Sequence, residues 1–369
     1  MINRILHITG SMNRAGAETM LMNLYRTIDR SKIQFDFVCF TAEKVDYEDE
    51  IYQLGGSIHR ILVRNPIKRM FALKKLLKKH PEYKSIHSHT LLSSGFNLWA
   101  AKLAHVKTRI AHAHSTNDIS NVSFVGKLYK YVSLKLIHKY ATQRIACGKE
   151  AAVFLFKKQD EVLFLPNSID TYSFAEMGET QKEYINTEFN IDNKVLKIIQ
   201  VGRLQPVKNH EFSITLANTL KEKGIPFKMF FVGQGELYKN IESQINEQDL
   251  MNDVLLLGLR TDISELMSGA DLLLMPSLHE GFPVVLVESQ AVGLPALIAT
   301  TISPEVDLGV GLIEFEPLSS DTATWVERLL RLKSKEKITK NERLEKIAEQ
   351  GFDIQSSTIL LTNLYNTMY

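Results

Sequence analysis

Two cysteines in 369 residues, Cys39 and Cys147, give no basis for a disulfide framework, and neither has a partner at CxxC spacing. A reducing cytoplasm is the expected compartment. No apolar run approaches the roughly 18 residues that a membrane-spanning helix needs, and the opening Met1-Ile2-Asn3-Arg4-Ile5-Leu6-His7-Ile8 is too short for a signal peptide. No segment is expected to cross a bilayer. Low-complexity tracts and repeats of fixed period are missing as well, which sets aside biased linkers and solenoids. What remains is an ordinary globular composition, 44% hydrophobic and 23% charged, on a chain long enough for two domains.

The formal net charge of +2 hides an asymmetry. Residues 1–175 hold 26 Lys and Arg against 14 Asp and Glu, whereas residues 176–369 hold 18 against 28. A basic first half points to an anionic partner, either phosphates or a membrane surface. Two segments carry much of that charge. Lys68-Arg69-Met70-Phe71-Ala72-Leu73-Lys74-Lys75-Leu76-Leu77-Lys78-Lys79 sets basic pairs among apolar residues at helical spacing. One reading is a surface helix that packs Phe71, Leu73 and Leu77 into the domain, and the other is a peripheral contact with an anionic membrane. Residues 119–149 add Lys127, Lys130, Lys135, Lys139, Arg144 and Lys149 with no acid.

Short apolar runs alternate with helical patterns along the whole chain, the signature of doubly wound α/β units with parallel sheets. In the first half the expected strands are Arg4–Thr9, Phe35–Thr41, Ser57–Leu62, Lys84–His89, Thr108–Ala113, Gln143–Cys147 and Val162–Leu165. In the second they are Lys197–Val201, Phe227–Val232, Val254–Leu257, Asp271–Met275, Ala296–Ala299 and Gly311–Phe315. The first domain is expected over 1–175, a linker over 176–193 where apolar periodicity fades, and the second domain over 194–354. An amphipathic helix over 355–369 would pack on either domain. Two Rossmann-like domains facing each other across a cleft are the simplest account.

Ligands of such sheets bind beyond the carboxyl ends of the strands, so the loops that follow strands carry most of the functional information. After Met275, the loop Pro276–Gly281 holds Glu280 and Gly281. Pro283 suits the first position of a helix that ends at Val292, because Gly293 can adopt the left-handed conformation and Pro295 stops its return. The N–H groups of Phe282, Val284 and Val285 are then free at a positive helix end, ready for an anion or a sugar oxygen. Arg203 and Lys208 flank Pro206 in the loop after Val201. Alone they read as surface charges, but beside the glycine loop Gly233-Gln234-Gly235 they suit a diphosphate. Gly16, in Arg14-Ala15-Gly16-Ala17-Glu18, lacks GxGxxG spacing and stands equally for a small helix start or a ligand contact, the helix running from Glu18. His87 and His89 share one strand face, and His112 and His114 repeat the pattern. With no carboxylate or cysteine at ligand spacing, they are read as hydrogen-bonded histidines beside a cleft, His114 facing substrate, and no metal is expected.

Glu280 and Glu288, with seven residues between them, form an EX7E pattern. Together with Gly202-Arg203, Lys208-Asn209, Val232-Gly233-Gln234-Gly235-Glu236, Gly258, the His114 strand end and the Gly16 loop, it resembles the retaining glycosyltransferases of family 4, with the two-domain GT-B architecture. The likeness spans residues 3 to 300 and is nearest to bacterial capsule and exopolysaccharide transferases. It implies that Arg203 and Lys208 bind the donor diphosphate and that Glu288 accepts hydrogen bonds from the ribose. Glu280 would hold a hydroxyl of the transferred sugar, aided by Gly281, Phe282, Pro283, Val284 and Val285. Leu259 and Arg260 would meet the base through backbone atoms, Gly16, Gly202 and Gly233 would let the backbone approach the donor, and His114 would lie beside the reacting carbon. The chain has no DxD sequence, in keeping with metal-independent transfer and no cofactor beyond a nucleotide-sugar donor, a UDP-sugar. Where the family often has two adjacent glycines, this chain has Ala15-Gly16. The expected partners are that donor, a lipid-linked saccharide acceptor and an anionic membrane surface at the inner face, with no nucleic acid. Alternatives on the same fold are a nucleotide-sugar epimerase and a nucleotide-binding protein without catalysis.

Overall fold

A computed structural model describes residues 2–114, 123–157, 161–336 and 338–367. Residues 119–122 of the basic stretch and the last two of the 355–369 segment lie outside the described residues. The chain divides into two compact units, Met1–Ile169 with Asp353–Tyr369, and Asp170–Phe352.

Among the described residues the first unit is built on seven parallel strands, β1 (Asn3–Ile8), β2 (Ile33–Cys39), β3 (Ile58–Arg60), β4 (Ser85–Ser88), β5 (Thr108–Ala113), β6 (Gln143–Ala146) and β7 (Leu163–Phe164). Their order is β3-β2-β1-β4-β5-β6-β7. Helices cover both faces, so β2 is buried along its whole length and reads as a nearly unbroken apolar run. The one charge inside that run, Asp36, is fully buried and takes two hydrogen bonds of 2.6 Å from Arg4 and one of 3.0 Å from Tyr83. Both cysteines are free thiols, and burial pushes each up to about 11, so neither is a nucleophile.

The second unit holds six parallel strands, β8 (Leu196–Val201), β9 (Phe227–Val232), β10 (Val254–Gly258), β11 (Leu272–Met275), β12 (Ala296–Ala299) and β13 (Ile313–Glu316), in the order β10-β9-β8-β11-β12-β13. In both sheets the direction of winding reverses beside the first strand, between β1 and β4 and between β8 and β11. A crevice opens at the carboxyl ends of such a pair, because successive connections leave in opposite directions.

Several sequence expectations are corrected. Residues 176–193 are no linker, since helices Thr171–Thr180 and Tyr184–Phe189 belong to the second unit. Ile185 is fully buried in a cluster with Leu286 and Val292, and the Phe189 ring lies 5.1 Å from Phe230. Helices of 10 and 6 residues are too short to display a full apolar stripe, which is why the pattern fades. The boundary expected at 175 falls instead after Ile169, and Asp170 caps the new helix by accepting from the Ser173 N–H at 3.0 Å. The chain returns to the first unit at Asp353, with the Ile354 N–H donating to the Ile169 carbonyl at 2.9 Å. Helix Ile354–Asn366 then buries Leu361 and Tyr365 beside Phe35 and Phe37.

In helix Pro66–Lys79 the buried residues are Met70, Leu73 and Leu77, and Phe71 points out with 53% exposure. Leu73 and Leu77 pack inward as expected, and Met70 takes the place expected for Phe71. Helix Phe124–Tyr140 in the basic stretch buries only Ser133 and Ile137. Among the described residues no helix is long and apolar enough to cross a membrane.

Candidate active site

In the second unit, the loops after β8 and β11 leave the sheet on either side of the winding reversal, and two hydrogen bonds tie them together. The Leu278 N–H donates to the Val207 carbonyl at 2.8 Å, and the Asn209 side chain donates to the Pro276 carbonyl at 3.0 Å. From below, the Gln200 side chain donates to the Lys208 carbonyl at 2.8 Å and accepts from the Ser213 hydroxyl at 2.6 Å. This lacing brings Lys208 Nζ to 2.6 Å from Glu280 Oε1, with side chains only 17% and 13% exposed. A charge-assisted contact of that length, largely withdrawn from water, holds both head groups in one place.

Gly233 follows β9 and supports the same floor. Its φ is +142°, and a Cβ there would lie 2.0 Å from the Gly202 carbonyl oxygen, so no side chain fits without moving backbone. The Gly202 N–H bonds the Val232 carbonyl at 2.9 Å, and the Gly233 N–H bonds the Gly258 carbonyl at 2.8 Å. Three strand ends are thereby joined edge to edge. Arg203 stands exposed at the rim, and its guanidinium has no ion-pair or hydrogen-bond partner among the described residues.

The helix after β11 spans Val284–Val292 and ends at Gly293, left-handed at φ +89° as the sequence suggests. Pro283, expected as the first helical residue, is instead its N-cap with ψ 106°, so the helix begins one position later. The Phe282, Val284 and Val285 N–H groups find no acceptor among the described residues, and the Leu286 N–H turns back to the Pro283 carbonyl at 3.0 Å. Phe282 is anchored by stacking on Phe352, with centroids 4.8 Å apart, while the exposed Gly281 has open space around it. One turn into the helix, Glu288 is half-buried with no side-chain partner among the described residues, and desolvation pushes its carboxyl up to about 7. After β10, Leu259 is 64% exposed, whereas Arg260 is spent on Asp262 through two bonds of 2.8 and 2.6 Å. That contact, with a 2.6 Å hydrogen bond from Tyr184, lowers the Asp262 carboxyl to about 2. Arg260 can therefore offer a ligand its backbone more readily than its side chain.

Gly16 and His114 lie in the first unit. Gly16 is the first residue of helix Gly16–Thr27, which begins two residues before the expected Glu18, and a Cβ on it would meet nothing within 4 Å. Internal packing does not demand a glycine there. His114 follows β5, and burial lowers its imidazole to about 4, with Asn167 acting in the opposite direction.

Known proteins share this architecture. Residues 14–172 match the family described as Glycosyltransferase Family 4, and residues 181–349 match Glycosyl transferases group 1. The putative glycosyltransferase EpsF of Bacillus subtilis is 39% identical over 98% of this chain and 96% of its own. The chain belongs to the family 4 glycosyltransferases. The Escherichia coli UDP-Gal:alpha-D-GlcNAc-diphosphoundecaprenol alpha-1,3-galactosyltransferase is 25% identical over 80% of the chain and 79% of its own length. Among solved structures, Anabaena Alr3699/HepE in complex with UDP superposes with a TM-score of 0.76 at 17% identity, covering 100% of both chains, a likeness of GT-B fold.

For this glycosyltransferase the structure joins Lys208 and Glu280, which the sequence presents as separate groups with separate roles. Two residues escape sequence reasoning altogether. His7, on β1, hydrogen-bonds His89 at 3.0 Å, and Tyr365, 278 residues from His87, hydrogen-bonds it at 2.7 Å. His7 has a signal in its place near a strand end. Tyr365 has none, because only the return of the last helix brings it there.

Proposed function

We propose that this glycosyltransferase moves a sugar from a UDP-sugar to a lipid-linked saccharide in capsule or exopolysaccharide synthesis, with retained anomeric configuration and no metal at the diphosphate. The observation that carries the reading is the Lys208–Glu280 contact at the reversal of the second sheet, next to a helix end with free N–H groups. Lys208 and the unpaired Arg203 take the diphosphate and neutralise charge as the bond to the sugar breaks, the task a divalent ion performs elsewhere. Glu280 accepts from a hydroxyl of the sugar while holding Lys208, so donor placement and charge neutralisation depend on one contact. Glu288 receives the ribose hydroxyls, Leu259 and Arg260 meet the base through backbone atoms, and Gly16 and His114 serve the first unit's side of the reaction. The name of the Escherichia coli relative, with its UDP-galactose donor and lipid diphosphate acceptor, supports the choice of substrates.

Screening nucleotide sugars for release of free nucleotide, with and without lipid-linked acceptors, tests the reading. Glu280→Gln and Arg203→Ala are each expected to abolish most turnover; unchanged turnover in both overturns it. Delivery of a lipid-linked acceptor fits a peripheral membrane contact at the inner face. Helix Phe124–Tyr140 supports it by exposing Phe124 at 82% and Val125 at 75% beside Lys127, and Phe71 with Ile67 does the same among the lysines of helix Pro66–Lys79. Flotation with anionic vesicles should carry the protein and lose it after Phe124→Ser with Val125→Ser; flotation that ignores both lipid charge and these changes removes the idea.

A further inference from the structure

The reversal point of the first sheet is filled by five imidazoles. His7 on β1 stands opposite His87 on β4 in the register, and His89 and His114 each lie one residue beyond the end of their strand. His87 and His89 share a strand face, as do His112 and His114, with Ser88 and Ala113 turned to the other side. The result is a repeated pattern, an H-x-H pair on one strand with a third histidine from the strand beside it. His7, His87 and His89 form one triad, and His89, His112 and His114 form the other. Within each, one ring nitrogen per residue lies within 4.8 Å of the other two. No carboxylate or thiol joins either triad among the described residues.

We propose that His89, His112 and His114 bind a divalent transition-metal ion, of the Zn²⁺ class, at the carboxyl ends of β4 and β5. The inference shares His114 with the reaction proposed above and does not use the diphosphate chemistry assigned to Arg203, Lys208 and Glu280. One observation separates this triad from the other, and two more fit a bound ion. His89 and His114 are partly exposed while His7, His87 and His112 are buried, so this triad has an entry path and room for a fourth ligand. The Nε2 atom of His112 is buried with no partner among the described residues. And the other nitrogens of two ligands already have partners that would fix their tautomers: His89 Nε2 lies 3.0 Å from His7 Nδ1, and His112 Nδ1 lies 3.2 Å from His87 Nε2. His87 Nδ1 in turn lies 2.7 Å from the Tyr365 hydroxyl. That is the outer shell a metal-bound imidazole requires, a partner on the nitrogen that does not ligate.

Without metal, His89 Nδ1 and His114 Nε2 lie 2.8 Å apart and share a proton in a hydrogen bond. A metal would take both lone pairs, so the shared proton would move to the other nitrogen of the ring that carries it, His89 Nε2 or His114 Nδ1, and the two ligating nitrogens would spread by about half an ångström, toward the separation that Zn–N bonds of about 2.0–2.1 Å impose. Burial holds all five rings neutral, the ligating form. An all-imidazole set suits Zn²⁺, Ni²⁺ or Cu²⁺ and discriminates against Mg²⁺ and Ca²⁺, which take oxygen.

The test uses the full chain without an affinity tag, stripped with chelator, incubated with Zn²⁺ or Co²⁺ and desalted. Elemental analysis is expected to find about one ion per chain, with a rise in Tm and, for Co²⁺, the strong visible absorption of a four-coordinate centre. His89→Gln with His112→Gln should lose the ion and the Tm rise, while His59→Gln with His80→Gln, a histidine pair elsewhere in the unit, should keep both. Wild-type protein that retains no ion, or a His89/His112 variant that retains as much, overturns the proposal and leaves a hydrogen-bonded cluster of neutral histidines. If that variant does not fold, the wild-type Co²⁺ spectrum decides: the weak absorption of a six-coordinate ion is equally fatal.

Discussion

Glu288 offers the sharpest quantitative test, because its environment fixes both the sign and the size of a pH effect. Desolvation raises the carboxyl from 4.5 to about 7, and no cation or donor among the described residues compensates it. A raised acid pKa means that between those values the folded chain holds a proton the unfolded chain has lost. Folding is therefore favoured below pH 4.5 and loses that contribution as pH rises to 7, by at most about 3.5 kcal/mol at about 1.4 kcal/mol per unit, less where water reaches the half-buried group. Replacement by Gln removes the titration, so Glu288→Gln should gain on wild type in Tm as pH rises from 5 to 8.

Nucleotide binding should show the mirror image. A ribose diol donates hydrogen bonds, and only the ionised carboxylate can accept them at both oxygens. Below pH 7 the binding-competent form falls tenfold per unit, so apparent affinity at pH 5 should be about 100-fold weaker than its plateau above pH 7. Uridine is the proper probe, since it carries the diol without a phosphate that titrates in the same range, and 2′-deoxyuridine is the control. Affinities measured by NMR titration from pH 5 to 8 should follow this curve in wild type and flatten in Glu288→Gln. A wild-type profile as flat as the variant's, or one unchanged with the deoxynucleoside, would refute the ribose role.

Three further outcomes follow from the same site. Glu280→Gln leaves Lys208 partly buried without its counter-charge, so it should cost about 1–3 kcal/mol in denaturant unfolding and lower turnover by about 10²-fold or more while UDP affinity, measured by calorimetry, changes less. Arg203→Ala touches nothing in the protein, so its stability should stay within about 0.5 kcal/mol of wild type, while UDP affinity falls and its salt dependence weakens. Gly233→Ala must displace the Gly202 carbonyl, and a loss of about 1–3 kcal/mol is expected together with weaker UDP binding; an unchanged Tm would show the floor is not as tight as the contact implies.

The fold was legible because parallel strands buried on both faces are apolar almost throughout, and each ends in a loop rich in glycine or polar residues. All thirteen strands among the described residues coincide with expected runs to within a few residues. Sites that depend on one loop, such as the free N–H groups ahead of Val284, were equally readable, since helix starts leave local marks. Contacts between loops were not. Nothing in 202–209 or 276–283 announces that Asn209 and Leu278 will tie the two together, so Lys208 and Glu280 were named without being paired. The misread linker has another cause: in helices of one or two turns the buried positions are too few to set a period, and the burial of Ile185 depends on strands far along the chain.

The two crevices show opposite answers to one topological problem. Reversal of winding leaves a gap above the innermost strand pair of each sheet, and something must fill it. Above β8 and β11 the filling is a charged pair whose partners come from different loops, kept partly wet so that a ligand can enter into the balance of charge. Above β1 and β4 it is neutral imidazole, dry enough that protonation is driven well below the usual histidine range. An unpartnered nitrogen in a dry cluster costs free energy, and Tyr365, from the last helix, is fully buried where it partners His87 Nδ1. Truncating the chain before Tyr365 would thus strip a partner from the imidazoles while leaving the second unit's charge pair untouched.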